Sequence, residues 1–136
     1  MNKSGITALD LAAFGGYKDL VLFLLENNAD VEGMKNLRPF IPEDFDKPGD
    51  FSTPLFDAAT EGHCDVMEIL IKSNANVNSS ARYMKTPLHT ASEHGKTEAV
   101  KILLKNHANA SLKDIYGHTP ADISANDDIK KIFSLQ

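Results

Sequence analysis

Four similar stretches recur along this chain, and they begin at Thr7, Thr53, Thr86 and Thr119. They read TALDLAAFGG, TPLFDAATEG, TPLHTASEHG and TPADIS; the last two spacings between these threonines are equal and the first is longer. A period of roughly 20–50 residues is typical of repeat architectures, in which one supersecondary unit stacks on the next. Residues that recur in every copy therefore predict the fold, and residues that differ between copies are candidates for function.

Each copy predicts two helices joined by a turn, as residues 86–107 illustrate. Thr86 can cap a helix with its hydroxyl, and Pro87 suits the first helical position, where its missing N–H costs nothing. Gly95 ends this short helix, because glycine readily adopts positive φ. The apolar side of the next helix comprises Ala99, Val100, Ile102, Leu103 and Leu104. The corresponding residues of the first copy, which we expect to face inward, are Leu20, Val21, Phe23, Leu24 and Leu25.

Two further features repeat. The short first helices carry pairs of small residues, which allow one copy to pack closely on the next: Ala12 and Ala13, Ala58 and Ala59, Ala91 and Ser92. The second helices stop at Asn28, Asn74 and His107, where glycine is usual. Asparagine and histidine tolerate left-handed backbone, although we expect some loss of stability relative to glycine. Since one helix pair cannot bury its apolar side alone, stacking predicts a solenoid.

Composition excludes several classes of protein. The longest apolar run, LVLFLL, is far shorter than the roughly 18 residues of a membrane helix, and MNKSGITALD lacks the apolar stretch of a signal peptide. The single cysteine, Cys64, allows no internal disulfide and fits a reducing compartment. A net charge of −5 disfavours a nucleic-acid partner, which calls for a basic surface.

The pattern resembles the ankyrin repeat, a unit of about 33 residues with a T-P-L-H-x-A signature. Residues 86–91 read TPLHTA, residues 114–120 read DIYGHTP, and NADVE, NANVN and HANAS resemble the ending of that repeat. The resemblance implies an all-α solenoid of helix-turn-helix units with β-hairpin or turn fingers. We expect four repeats, at about 1–33, 48–80, 81–113 and 114–136, the last a shortened C-terminal cap.

The two ends of the array differ. In the last copy about three residues are missing, and Ile129, Ile132 and Phe133 can face inward while Lys130 and Lys131 face water. The first copy shows no such cap, so we expect Leu9, Leu11 and Phe14 to require an upstream neighbour. Our hypothesis is that the chain is a fragment of a longer array or of a multidomain protein.

Two places invite a catalytic or metal-binding interpretation. His89 could act as a general base or as the hydrogen-bonding histidine of the TPLH motif. The second interpretation is favoured, because the other copies carry Asp10, Phe56 and Asp122 there and no nucleophile lies at a recognisable spacing. His63 and Cys64 match the turn of the repeat better than a zinc site. We therefore predict no catalytic residue, no cofactor and no metal.

The resemblance implies a non-catalytic protein-interaction module, an adaptor or scaffold, that binds a protein or peptide through its finger tips and concave helix face. We expect no membrane insertion, a monomer as an isolated domain, and a cytoplasmic or nuclear location, with a secreted effector left open. The alternative is a substrate-recruitment or regulatory domain of a larger enzyme or channel. The candidate contact residues are Phe14, Arg38, Phe40, Phe45, Phe51, Glu61, Arg82, Tyr83, Lys85, Glu93, His94, Ile115, Tyr116 and His118.

An insertion explains why the first spacing, from Thr7 to Thr53, is longer than the later two. The extra residues, about 34–47, carry Pro39 and Pro42, which disfavour a helix, and several large apolar side chains. Insertions in repeat arrays map to loops that often belong to the binding face. A specificity finger and a tolerated loop expansion both fit. By resemblance, Asn78 is a possible site of asparagine hydroxylation.

Overall fold

Helix pairs follow one another in the computed structural model, which describes residues 6–33 and 52–136. The first pair is α1 (Ala8–Gly15) and α2 (Lys18–Glu26), the second is α3 (Pro54–Glu61) and α4 (Cys64–Lys72), and the third is α5 (Pro87–Glu93) and α6 (Thr97–Lys105). A final helix, α7 (Asp127–Ser134), ends the array, and Arg82–Met84 form a short 3-10 turn before α5. These described residues contain no β-strand, so the fingers among them are turns.

The threonine that begins each of the first three copies caps its first helix, as the sequence predicts. Thr53 Oγ1 accepts a hydrogen bond from Phe56 N at 3.2 Å. Thr7 and Asp10 form a reciprocal box, in which Asp10 Oδ2 also accepts from Thr7 N at 2.8 Å. Each cap satisfies backbone donors that have no partner within the helix, and so fixes where the helix starts.

The second helices end in left-handed residues. Asn28, Asn74 and His107 have φ values of 64°, 69° and 66°. The amide after each of them bonds back to the helix, for example Ala75 N to Leu70 O at 3.0 Å. This backbone geometry is the one that glycine normally supplies.

The core is one apolar cluster that runs through the whole array, from Leu9 to Ile129. The paired small residues of α1, α3 and α5 are fully buried, and α1 packs on α3 while α3 packs on α5. The second helices pack in the same order, α2 on α4 and α4 on α6, and α7 covers α6. The predicted all-α solenoid is therefore confirmed.

The last copy has only one regular helix, because the segment between its two caps is shorter than in the second copy. The cap residues are Thr53 and His63 in the second copy but Thr119 and Asn126 in the last. Residues 120–123 form turns with bonds such as Asp122 N to Thr119 O at 3.1 Å, and Ala125 N then bonds to Ser92 O at 2.9 Å. The shortened segment leaves no room for a complete first helix, but α7 still buries Ile129 completely.

The first copy differs from prediction on one side. Leu9 is fully buried, so the expectation that it requires an upstream neighbour is wrong, whereas Leu11 and Phe14 are exposed as expected. Leu20 and Phe23, predicted to face inward, are also exposed. The helix period places these residues on the correct side, but no packed helix covers that side in the described structure.

No helix among the described residues combines the length and the apolar character needed to cross a bilayer.

Candidate functional site

Exposed aromatic and apolar side chains gather where the finger before α5 meets the finger before residue 119. The rings of Tyr83 and Tyr116 have centroids 6.2 Å apart, and those of Tyr116 and His118 are 6.4 Å apart. Ile115 N donates to Tyr83 O at 2.8 Å, which ties the two fingers together. We name this group the tip cluster, and its members are Tyr83, Met84, Ile115, Tyr116 and His118, all of them exposed.

The second of these fingers is organised by a buried carboxylate. Asp114 Oδ1 accepts from the N–H groups of Tyr116 and His118, both at 2.9 Å, and Gly117 supplies the left-handed residue with φ 81°. Burial alone would raise the pKa of Asp114, but these two N–H donors hold its pKa below the usual value. Tyr116 is therefore presented on a well-anchored turn, with 68% of its surface exposed.

The first finger lacks both of those anchors. Ala81 stands at the position of Asp114, and Met84 at the position of Gly117. The turn closes with backbone bonds instead, Met84 N to Ala81 O at 3.1 Å and Ala81 N to Lys85 O at 2.8 Å. Tyr83 and Met84 both adopt positive φ, 56° and 58°. Left-handed backbone is costly for such residues, on the order of 1 kcal/mol each, and this kind of cost is often found at functional positions.

Polar side chains line the adjoining edge of α5. Lys85 and Glu93 form an ion pair, so the candidate residue before the helix and the one at its end are in contact. His94 Nδ1 lies 2.9 Å from Thr90 O, and the hydroxyls of Thr90 and Thr60 share a hydrogen bond of 2.8 Å. This edge is continuous from the third repeat back to α3. The arrangement offers both charges and hydrogen-bonding groups beside the tip cluster.

A titratable carboxyl lies on α3 near the same edge. Burial is the main cause that raises the pKa of Asp57 from 3.8 to about 7. The Ser52 hydroxyl donates to Asp57 Oδ2 at 2.9 Å and opposes this shift. Asp10 raises the pKa further and Arg82 lowers it, so the charge of Asp57 is coupled to a candidate contact residue.

The histidines and the cysteine have structural environments. His89 is fully buried, Thr86 N donates to its Nδ1 at 3.1 Å, and its Nε2 donates to His118 O at 2.9 Å. Burial lowers the pKa of His89, as expected for a neutral structural imidazole. His63 Nε2 lies 3.0 Å from Phe14 O and links two repeats. Burial raises the pKa of the Cys64 thiol, the opposite of what activates a nucleophile.

Within residues 6–33 and 52–136 no group of three or more His, Cys, Asp or Glu side chains could hold a metal ion.

The structure brings together four of the predicted contact residues, Tyr83, Ile115, Tyr116 and His118, and pairs two more, Lys85 with Glu93. Glu61, Arg82 and His94 are placed on α3, on the finger and at the end of α5, whereas Phe14 lies on α1. Four predicted residues lie outside the described part of the chain: Arg38, Phe40, Phe45 and Phe51.

Two residues of this region were missed by the sequence analysis. Met84 could have been found because it replaces the turn glycine of the DIYGHTP motif. Asp57 could have been found because the corresponding residues, Leu11, Thr90 and Ile123, carry no charge.

Asn78 links its own repeat to the next one by a hydrogen bond. Its side-chain oxygen accepts from Asn109 N in the next repeat at 2.7 Å, and its own N–H donates to Asn76 Oδ1 at 3.0 Å. Glu32 makes the equivalent bond one repeat earlier, accepting from Asn76 N at 2.6 Å. Hydroxylation at Asn78 remains a prediction from the resemblance.

Stacked helix pairs joined by projecting turns define a helical repeat protein, a class whose members typically offer their turns and concave helices as a surface. The chain belongs to the ankyrin repeat family. The family described as "Ankyrin repeats (3 copies)" matches residues 34–114 and 55–135, and that described as "Ankyrin repeat" matches residues 4–36. Ankyrin repeats are generally non-catalytic modules for protein–protein interaction.

Two relatives share part of this chain. The ankyrin repeat and KH domain-containing protein mask of Drosophila melanogaster is 37% identical over 76 residues, 56% of this chain. The human ankyrin repeat and KH domain-containing protein 1 is 35% identical over 75 residues, 54% of this chain. The matched stretch spans only 2% of the length of either relative.

Proposed function

We propose that this chain is an adaptor or scaffold module that binds a partner protein or peptide through the tip cluster and the adjoining edge of α5. The observation that carries the proposal is the tip cluster itself, in which two tyrosines and a histidine are held in a row on the surface. Tyrosine is among the residues that dominate binding energy at protein interfaces. The chain tolerates backbone strain at Tyr83 and Met84 to present these side chains, which supports a selected role.

Side chains rather than backbone groups make the contact in this proposal. Six backbone N–H groups of the two fingers already donate within the protein, so these six are not free to pair with an added strand. They belong to Met84, Lys85, Ile115, Tyr116, Gly117 and His118. A partner therefore packs on the rings of the tip cluster, and polar groups of the partner pair with Glu93, His94 and Arg82 at its border. Glu61, one repeat away, extends the same border.

The insertion at about 34–47 is proposed as a specificity element on the same side. This part of the proposal rests on the sequence alone, since Arg38, Phe40, Phe45 and Phe51 lie outside the described residues. Replacing residues 35–47 by a turn of standard length tests it. Unchanged affinity for the partner would reduce the insertion to a tolerated loop expansion.

Affinity capture from the source cell tests the main proposal. The baits are the natural chain, a Tyr83→Ser/Tyr116→Ser variant, and the matched control Leu135→Ser, which removes another exposed apolar side chain, one that lies just after α7. We expect a protein that the natural chain and the control both retain, and that the double variant loses. Equal capture by all three baits, with the fold intact by circular dichroism, contradicts a role for the tip cluster.

A second candidate is a recruitment or regulatory arm of a larger enzyme or channel. It is favoured by the small share of each relative, 2%, that this chain matches. The Tyr83→Ser/Tyr116→Ser variant separates the adaptor from the recruitment arm. For a recruitment arm, the variant would change the activity of the whole protein toward its substrate. We place the module in the cytoplasm or nucleus, because its single cysteine fits a reducing compartment, and we treat the isolated domain as a monomer.

A further inference from the structure

Large apolar side chains are exposed on the outer side of the first helix pair. Leu11 and Phe14 lie on α1, and Leu20 and Phe23 lie on α2. We name these four residues the N-terminal face. They lie at the other end of the array from the tip cluster, so the proposed function does not use them. An exposed apolar group of this size usually marks an interaction surface.

The position of Leu20 is covered in the inner repeats, whereas the position of Phe14 is half-buried at Thr60 and exposed at Glu93. Leu20 is 44% exposed, whereas Val66 and Ala99, which stand at its position in the next two repeats, are 0% and 1% exposed. Leu24 is half-buried, whereas its counterparts Leu70 and Leu103 are fully buried. The difference follows from packing. Within the described residues α2 packs on α4 and α4 packs on α6, whereas no second helix of an earlier repeat packs on α2. The N-terminal face is therefore the continuation of an interface that occurs twice inside the molecule.

The opposite end of the array does not have this character. There α7 buries Ile129 inward and exposes Asp127, Asp128, Lys130 and Lys131. The exposed surface of α7 is thus mainly charged, whereas the exposed surface of α1 and α2 combines charged residues with large apolar side chains.

We propose that the N-terminal face binds the helix pair of one further ankyrin-type repeat, stacked on α1 and α2 in the register that relates the inner repeats. Its first helix would pack against Leu11, as α1 packs on α3 and α3 packs on α5 within the array. Its second helix would cover Leu20 and Phe23. A repeat in this register would end shortly before Thr7 in sequence, so the occupant is continuous with the array on the N-terminal side of α1.

One exposed leucine supplies a control. Leu22 occupies the position of Glu68 and Lys101, which are exposed in repeats that have neighbours on both sides. A stacked repeat would therefore cover Leu20 and leave Leu22 in water. The two leucines are close in sequence but differ in the role that the proposal gives them.

The test uses the full chain and a fusion in which a copy of residues 81–113 is placed directly before Asn2. This junction keeps the threonines in register, because Thr86 of the added copy then precedes Thr7 by the same interval that separates Thr53 from Thr86. Leu20→Lys and Leu22→Lys are made separately in both proteins. Urea unfolding and amide exchange of α2 are measured, and sedimentation gives the oligomeric state of the unfused chain.

In the unfused chain we expect a monomer in which both substitutions change the urea midpoint little. In the fusion we expect a single transition at higher urea, stronger protection of α2, and a loss of about tenfold or more in the folding equilibrium for Leu20→Lys but not for Leu22→Lys, since a covered leucine side chain contributes that much.

Three results would overturn the proposal. One is equal cost of Leu20→Lys in the two proteins, including a large cost in the unfused chain, which would mean that another part of the chain covers the face. Another is a dimer of the unfused chain that Leu20→Lys dissociates, which would make a second copy the occupant. The third is a fusion that unfolds in two separate steps with unchanged exchange in α2.

Discussion

At the scale of single residues, Met84 departs most from the chain's own repeat pattern. It stands where the fourth repeat has Gly117, and it holds a left-handed backbone with φ 58°. Its neighbour Tyr83 does the same with φ 56°. The backbone at both residues has the conformation that glycine adopts most easily, yet both carry large side chains that are exposed.

Met84→Gly should therefore stabilise the fold by about 0.5–1 kcal/mol, because glycine adopts positive φ without a steric cost. Urea unfolding of the variant and the natural chain measures this difference. If the tip cluster binds a partner, the same variant should capture less of it despite being more stable. A destabilised Met84→Gly chain would show that the methionine side chain supports the turn.

Asp57 is the other residue with an unusual environment. Its pKa is raised to about 7, so the folded state holds a proton that the unfolded state releases near 3.8. The stability contributed by this proton is fully present below pH 3.8 and is lost as the pH rises through about 7.

Asp57→Asn should remove this loss, because asparagine keeps an acceptor for Ser52 and carries no charge. Relative to the natural chain, the variant should become more stable as the pH rises from about 4 to 8, by on the order of 4 kcal/mol. Unfolding at several pH values checks it. His89 also makes stability depend on pH, because its lowered pKa costs stability as the pH falls through about 6.5. This contribution is the same in both proteins, so it cancels when the stability of the natural chain is subtracted from that of the variant. A difference that does not vary with pH would contradict the raised pKa.

At the scale of elements, side chains link the loops that follow successive second helices. Glu32 accepts from Asn76 N, and Asn78 accepts from Asn109 N. A carboxylate oxygen in one repeat and an amide oxygen in the next thus accept equivalent hydrogen bonds at the same repeat position. These bonds fix the spacing between successive loops.

Asn78→Ala should destabilise the chain by about 0.5–1.5 kcal/mol, because Asn109 N loses its protein acceptor. Asn78→Asp is the matched control, since it keeps an oxygen there as Glu32 does. Thermal unfolding of the three proteins is the measurement. Equal losses in both variants would show that the link contributes nothing specific.

At the scale of the whole molecule, helix pairs interact mainly with their neighbours, so stability varies along the array. The buried small residues of α3 and α5 have covered surfaces on both sides, whereas α1 and α2 have one. The fold is closed at its C-terminal end by α7 through Ile129.

Ile129→Ala should destabilise the molecule by about 2–5 kcal/mol, since it empties a fully buried site. Because contacts are local, amide exchange should increase most in α7 and α6 and least in α1. Hydrogen exchange followed residue by residue tests this. A uniform increase along the chain would indicate that the array unfolds only as one unit, without local opening.

Much of the fold could be predicted from the sequence because its signals are local. The cap of Thr53, the left-handed stops at Asn74 and His107, and the shortened last copy all act within one or two turns of helix. The candidate site was predicted only in part. Tyr83 and Tyr116 were named, but Met84 and Asp57 were missed, because strain and desolvation depend on the packed environment.

The sequence by itself determined the repeating helix pair, the all-α solenoid and its charged C-terminal cap, since a fixed period with caps and apolar spacing has one stable way to bury its core. Only the tertiary structure decided in which repeats a given position is buried. Leu20 and Val66 obey the same helix period, yet one is exposed and the other buried, because burial depends on the neighbouring helix. For the same reason, only folding brings the Tyr83 and Tyr116 rings, which lie one full repeat apart in sequence, to 6.2 Å.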